Sequence, residues 1–176
     1  MIYFLYIILK IKLLGGKMSF NCVKKVENDY DKYVLVSTTG KINLPDYLDK
    51  KSKDLAKAVI EKNEFTAKAS EKLAMTLVNN KKVIDFVIVG LGDKAKLNCK
   101  NIRQYLFDTL KNETGKVLLS FANEELDNMD IVAEVVEHIN YKFDKYISKK
   151  KDKFLEVSYL TDKKVPKLIE GYELAK

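Results

Sequence analysis

The sequence predicts an α/β domain with a mixed, mostly parallel central sheet flanked by helices. From Lys82 onward, predicted strands and helices alternate three times, an order typical of parallel sheets with crossover helices. The run Val83–Leu91 is almost entirely apolar and rich in β-branched residues, which favours a strand covered on both faces. Two strand-like segments flank Asn79-Asn80, so an antiparallel hairpin is predicted in the first half.

The first half is predicted to hold strands, one helix and this hairpin. Asp46 or Asp49 can cap the helix at its start, and Leu55 and Val59, with Ile60 as an optional third residue, are predicted to form its inward face. In order, the predicted elements are strands 19–26 and 32–38, a helix ending near Lys62, and strands 72–78 and 82–89.

The second half carries the clearer helical patterns. Asn98 is predicted to cap a helix running through Glu113, in which Ile102, Leu106 and Leu110 recur at helical spacing, and Gly115 is predicted to end it. Asp127 or Asn128 is predicted to cap a second helix, whose inward face comprises Met129, Val132, Val136, Ile139 and Phe143. Strands are predicted over 117–122 and 154–160, and a last helix is predicted from Val165 onward.

Composition bounds the class of protein. The chain has 176 residues, of which 47% are hydrophobic, enough for one domain with its own core. Two cysteines, Cys22 and Cys99, are too few for a disulfide scaffold and indicate a reducing, cytoplasmic compartment. The single histidine, His138, excludes chemistry that needs two imidazoles from one chain.

The net charge of +7 raises the question of an anionic partner. Only one of the 32 basic residues is an arginine, Arg103, although arginine is the residue that reads bases and phosphates with two hydrogen bonds. The densest lysine patch, Tyr141–Lys164, also contains acidic residues, and we interpret it as a solvated surface. We therefore expect no nucleic-acid partner and treat nucleic-acid binding as an alternative only.

Residues 1–17 are predicted to be a translated upstream leader outside the fold. Met1–Leu14 is too short for a membrane span, and its lysines follow the apolar run rather than precede it as in a signal peptide. Gly15-Gly16-Lys17-Met18 can be encoded as GGA-GGA-AAA-ATG, a ribosome-binding sequence before a start codon. Three of the seven net charges lie in this leader, and we expect no membrane association.

Few residues suggest chemistry. The loop Gly90-Leu91-Gly92-Asp93 follows a predicted strand, so Gly90, Gly92 and Asp93 form a weak candidate site for a phosphate group. His138 has no neighbouring ligands at metal spacing, and Cys99 has no partner that could act as its base. We therefore predict no catalytic residue and no metal ligand in this chain.

Four segments, in order, resemble the N-terminal domain of the leucyl (cytosol) aminopeptidase family. Glu64–Ala69 resembles the segment EFTGKAGE, with Ala67 and Ala69 expected to stand in place of glycines, and Val87–Gly92 resembles the strand and turn of the domain. Tyr141–Lys150 is similar to YRFDKYKSKK, and Glu170-Gly171 resembles the start of the helix that leads to the catalytic domain.

The resemblance implies a fold similar to macro domains over residues 18–164, followed by the start of a linking helix over 165–176. It also implies that two divalent metals, zinc or manganese, act in a separate catalytic domain, whose metal-binding segment NTDAEGRL has no counterpart here. The expected role is non-catalytic, in hexamer assembly or regulation, with the catalytic domain or aminopeptidase subunits as partners and a homo-oligomer as a further form. The alternative is a stand-alone module that binds a nucleotide such as ADP-ribose at Gly90–Asp93, an analogy of fold alone.

Overall fold

The computed structural model describes residues 19–27, 29–123, 129–140 and 154–161. These residues form one six-stranded sheet and three α-helices, together with a short 3₁₀ turn over Lys94–Lys96. The strands are β1 (Phe20–Val23), β2 (Lys32–Ser37), β3 (Lys72–Asn79), β4 (Lys82–Gly90), β5 (Gly115–Phe121) and β6 (Leu155–Leu160). The helices are α1 (Lys50–Lys62), α2 (Cys99–Leu110) and α3 (Met129–Asn140).

The strand order is β1-β6-β5-β2-β4-β3. Every neighbouring pair is parallel except β3 and β4, which form the antiparallel hairpin. The predicted mixed, mostly parallel sheet is therefore confirmed. Its first strand pairs with its last, and β2 lies in the interior between β5 and β4.

The strands carry apolar side chains on both faces of the sheet, and helices cover both faces, so these side chains are buried. On one face, α2 and α3 pack over a core that includes Val34, Leu119 and the large, fully buried Tyr159. On the other face, α1 contributes Ala56 to a second core built around Leu35 and Phe86.

Local chemistry sets the ends of several elements. The Asp49 carboxylate accepts the N–H of Ser52 at 2.7 Å and caps α1, and the Asn98 side chain caps α2 in the same way. In the hairpin turn, Asn80 and Lys81 both have positive φ, 49° and 68°, as a two-residue turn matched to the strand twist requires. Asparagine tolerates this conformation better than most residues.

Two details of the predicted helices are wrong. In α1, Ser52 and Ala56 face the core, whereas Leu55 is exposed, because the Ser52 hydroxyl donates a hydrogen bond to the carbonyl of Val78. Gly115 does not end α2, which stops at Leu110. It begins β5 with a φ of 80°, and its N–H donates to the carbonyl of Phe154.

Several predictions fall on residues outside the described ranges. They are the leader over residues 1–17, the caps Asp127 and Asn128, Phe143, most of the lysine patch at 141–164, and the helix from Val165 onward. Within the described residues, no helix has the length and apolar character needed to cross a membrane.

Candidate functional site

The loop that the sequence singled out, Gly90–Asp93, lies at the carboxyl end of β4. Its first three N–H groups donate hydrogen bonds of 2.8 to 3.0 Å to carbonyl oxygens of the protein; the acceptors for Gly90, Leu91 and Gly92 are Glu71, Ser37 and Ala67, respectively. The Asp93 carboxylate accepts the N–H of Ala95 at 3.0 Å and so caps the 3₁₀ turn. These polar groups connect β4 to neighbouring segments of the fold.

The two glycines of this loop lie against the segment that follows α1. A β-carbon at Gly90 would sit 2.2 Å from the carbonyl oxygen of Lys68, and one at Gly92 would sit 3.1 Å from the β-carbon of Ala69. Gly92 also has a φ of 82°, which L side chains rarely adopt. Close packing therefore accounts for the glycines at both positions.

The segment that packs against this loop has its own unusual backbone. Counted from Glu64, the two glycines of EFTGKAGE fall at positions 67 and 70 rather than at 67 and 69. This chain has Ala67 with a φ of 56° and Ser70 with a φ of 64° there. Residues other than glycine are strained in this conformation. Glycine would adopt this backbone conformation at both positions without that strain.

Replacing Ser70 by glycine should stabilise the domain. Ser70 is exposed, so its side chain contributes little packing. Glycine removes the cost of about 1 kcal/mol that a side chain has in this conformation. Part of this gain is offset, because glycine loses more backbone entropy on folding. We expect the free energy of unfolding in urea to rise by about 0.5 kcal/mol, with Ser70→Ala as the matched variant that gains nothing. A Ser70→Gly variant that is no more stable than Ser70→Ala would contradict this explanation.

An open groove of about 950 Å³ lies elsewhere, on the face of the sheet that also carries α1. Irregular segments wall it on two sides, residues 24–27 and 29 between β1 and β2 and residues 43–47 before α1. Its floor includes Tyr33, Ser120 and Leu160 from three neighbouring strands. Sequence reasoning missed this groove because its lining comes from segments far apart in the chain.

The groove combines aromatic surface with charges of both signs, since it is lined by Lys24, Lys25 and Lys82 together with Glu27, Asp29 and Asp46. The rings of Tyr33 and Tyr47 lie 5.8 Å apart, and burial raises the pKa of both phenols, so both stay protonated at neutral pH. Lys24 and Lys25 are exposed at the rim, whereas Lys82 is held by Asp29 at 2.6 Å. Among the described residues that line it there is no histidine or cysteine.

The other residues that the sequence singled out lie at exposed positions or in contacts between helices. His138 is exposed on α3 with its ring 5.5 Å from that of Phe107, and Cys99 is exposed at the first position of α2. The single arginine, Arg103, donates to the Glu134 carboxylate at 2.7 Å and so connects α2 with α3. Across the described ranges, no three His, Cys, Asp or Glu side chains come together as a metal site.

One titratable group was not anticipated from the sequence. Glu137, on α3, is partly buried against the start of the sheet, and its carboxylate accepts a hydrogen bond from the Ser19 hydroxyl. Burial raises the pKa of Glu137, and the Ser19 hydrogen bond opposes this shift only in part.

The raised pKa of Glu137 predicts a pH-dependent stability. The folded state binds the Glu137 proton more tightly than the unfolded chain does. The stabilisation that this provides is fully present below the ordinary glutamate pKa of about 4.3, and it is lost as the pH rises through the pKa of Glu137 in the folded state. Relative to Glu137→Gln, the wild-type protein should therefore lose unfolding free energy from about pH 4 to pH 7. Urea denaturation of both proteins across this range measures the difference, and a difference that stays constant would contradict the assignment.

Comparison with known proteins identifies the family. The sequence pattern described as "Cytosol aminopeptidase family, N-terminal domain" matches residues 34–150. The chain belongs to this family. The resemblance predicted from the four sequence segments is thereby confirmed.

Two curated relatives of the cytosol aminopeptidase family are similar to this chain. A "Probable cytosol aminopeptidase" of Fusobacterium nucleatum is 74% identical over 159 residues, which cover 90% of this chain and 33% of that protein. A second protein of the same name, from Haemophilus influenzae, is 27% identical over 112 residues, 58% of this chain and 23% of that protein. The matched part of the chain thus spans a third or less of these relatives.

A solved structure supports the fold. A tomato leucine aminopeptidase variant superposes with a TM-score of 0.61 at 14% identity, covering 88% of this chain and 34% of that one. At this identity the likeness speaks for the fold alone. It agrees with the layered α/β sheet described above.

Proposed function

We propose that this chain acts as the non-catalytic N-terminal domain of a leucyl aminopeptidase, with a role in assembling or regulating the catalytic part of the enzyme. The observation that carries the proposal is the match to the N-terminal domain of the cytosol aminopeptidase family, together with a 74% identical relative three times as long as the matched segment. Its partners would be the catalytic domain or the subunits of such an enzyme.

The chemistry of the described residues supports a binding role. Their surface offers an aromatic groove bordered by lysines and carboxylates, and the glycine loop uses its first three N–H groups within the fold. In this proposal the two divalent metals, zinc or manganese, belong to the catalytic part and not to this chain. The site of action would be the cytoplasm, as the name of the relatives suggests.

The purified chain should not hydrolyse leucine p-nitroanilide, with or without added manganese or zinc. Release of p-nitroaniline, followed by absorbance, measures this, with the full-length Fusobacterium nucleatum relative as the active control. Hydrolysis by the chain, at a rate proportional to its concentration, would overturn the non-catalytic assignment.

The assembly role has a separate test. The chain, carrying an affinity tag, is co-expressed with the full-length Fusobacterium nucleatum relative, and the purified material is examined by native mass spectrometry. We expect mixed oligomers that contain both polypeptides, or a change in the specific activity of the relative. Separate species with unchanged activity would count against assembly and regulation alike.

A further inference from the structure

The described helices cover the two faces of the sheet unequally. On one face, α2 and α3 pack against each other, and α3 contacts β6 and β1 at the edge of the sheet. On the other face, α1 is the only helix in the described ranges, and it packs mainly on β3 at the opposite edge. The ends of β5 and β6 on this face border the open groove instead, although parallel strands are usually covered on both faces.

The apolar core beneath α1 is incomplete where it meets the groove. Apolar side chains there pack on this core on one side, line the groove on the other and stay only partly buried; they include Val26, Leu44, Tyr47, Ala122 and Leu160. The open volume beside them is about 950 Å³. In a layered α/β domain, apolar surface at this place is what a further helix covers.

The chain leaves the sheet at this groove. Strand β6 is the last described strand, and both its final residue, Leu160, and the following Thr161 line the groove. The Thr161 N–H donates to the carbonyl of Val23 at 3.1 Å, which fixes the point of departure beside β1. Residues 162–176 lie outside the described ranges, and the chain enters them directly from the groove wall.

The sequence that follows predicts a helix with one apolar face. Pro166 suits the first turn of a helix. Apolar residues recur after it at spacings of three and four, which place them on one side of a helix: Val165, Leu168, Ile169 and Tyr172. Such a helix needs a surface on which to bury this face, because an isolated helix of this length is only marginally stable in water.

The length and charge of this segment suit the groove. Residues 162–164 make the connection from β6, a usual length for a loop between a strand and a helix. A helix over 165–176 would be about 18 Å long, close to the roughly 20 Å of the six-residue strand β6. Its two lysines and two glutamates cancel, which suits a groove lined by charges of both signs.

We propose that residues 165–176 form a helix that lies in the groove of the same chain, with its apolar face against the partly buried side chains there. This helix would complete the core on the face that carries α1. The resemblance makes the same segment the start of the helix that leads to the catalytic domain. Its use in regulating that domain rests on the function proposed above, but the contact with the groove does not.

Contacts between the segment and the groove can be measured directly by NMR on the full 176-residue chain with labelled methyl groups. We expect nuclear Overhauser contacts from Leu168 or Ile169 to Val26, Ala122 or Leu160. A sample that mixes labelled and unlabelled chains separates contacts within one chain from contacts between two. Absence of these contacts, or contacts between chains only, would overturn the proposal.

Two variants of the segment test which side of the helix is buried. Ile169→Lys puts a charge on the apolar face, whereas Leu174→Lys puts the same charge on the opposite side of the helix. Hydrogen exchange at the amides of residues 168–172 should become at least about tenfold faster in Ile169→Lys and change less than about twofold in Leu174→Lys. Equal rates in the wild type and Ile169→Lys, or equal effects of the two variants, would refute the assigned face.

A second pair of variants tests the groove itself. Val26→Lys changes the groove wall, whereas Val83→Lys changes an exposed position on the other face of the sheet, since the adjacent Ile84 lines the groove. Exchange at residues 168–172 should be as fast in Val26→Lys as in Ile169→Lys and unchanged in Val83→Lys, with circular dichroism verifying the fold of each. Full protection of the segment in Val26→Lys would place it elsewhere and refute the groove as its binding site.

These outcomes are distinguishable from those of the test with aminopeptidase subunits. Mixed oligomers with the relative, formed by a chain whose segment makes no contact with the groove, would reject the docked helix and retain the assembly role. A docked helix in a chain that neither joins the relative nor changes its activity would support the contact and reject that role.

Discussion

Gly90→Ala should destabilise the domain by about 3 kcal/mol or more, the range reserved for substitutions with a specific steric or packing cause. A β-carbon there would lie 2.2 Å from the carbonyl oxygen of Lys68 and 2.4 Å from the carbonyl carbon of Ala67. Both are backbone atoms, so the clash cannot be relieved by turning a side chain. Either β4 or the segment after α1 must move, and the hydrogen bond from Gly90 to Glu71 would be lost with it.

Gly40→Ala is the matched control for this experiment. Gly40 has a φ of 114°, but a β-carbon there would meet nothing within 4 Å. Its cost should therefore be limited to backbone strain of about 1–2 kcal/mol. Urea denaturation of the wild type and both variants gives the two free energies. Equal losses in the two variants would mean that close packing at Gly90 is not the cause.

Phe86→Ala should have an effect of similar size, about 3–5 kcal/mol, through the loss of a buried ring and the cavity left behind. Phe86 is fully buried at the centre of the core beneath α1. It lies on β4 between Tyr33 of β2 and Met75 of β3, its neighbours in register. Two strand pairings and the packing of α1 therefore depend on this one side chain.

Val83→Ala on the same strand is the control, because Val83 is largely exposed. We expect a change in unfolding free energy within about 0.5 kcal/mol. Thermal and urea unfolding followed by circular dichroism will measure both variants. If Phe86→Ala were as mild as Val83→Ala, the core beneath α1 would have to be packed differently from the structure described above.

The sequence predicted the fold class and most elements because their signals are local. The apolar run of β4, the cap at Asn98 and the helical spacing of Ile102, Leu106 and Leu110 each depend on neighbours in the chain, and all three are confirmed. The errors occur where a distant contact decides. Leu55 was expected in the core, yet the hydrogen bond from Ser52 to β3 fixes the rotation of α1 and turns Leu55 outward.

The candidate site was less accessible to sequence reasoning for the same reason. The sequence shows glycines at positions 90 and 92, but the reason for them is close packing against residues 67–69, more than twenty positions earlier in the chain. Gly115 was read as a helix end, whereas its positive φ and its position beside Asp31 belong to the start of β5. The groove is a product of the strand order, and no short motif in the chain indicates it.

The pairing of β1 with β6 has a consequence for how the domain forms. Residues Phe20–Val23 find their place in the sheet only beside Val157–Leu160, at the far end of the described chain. During synthesis, β1 therefore cannot pair with β6 until almost all of the described residues have left the ribosome. Contacts between such distant segments are slow to form, since the intervening chain must be ordered first. The buried side chains of β1, Phe20 and Cys22, would stay exposed for that time, so completion of the domain at β6 is the step that protects its beginning.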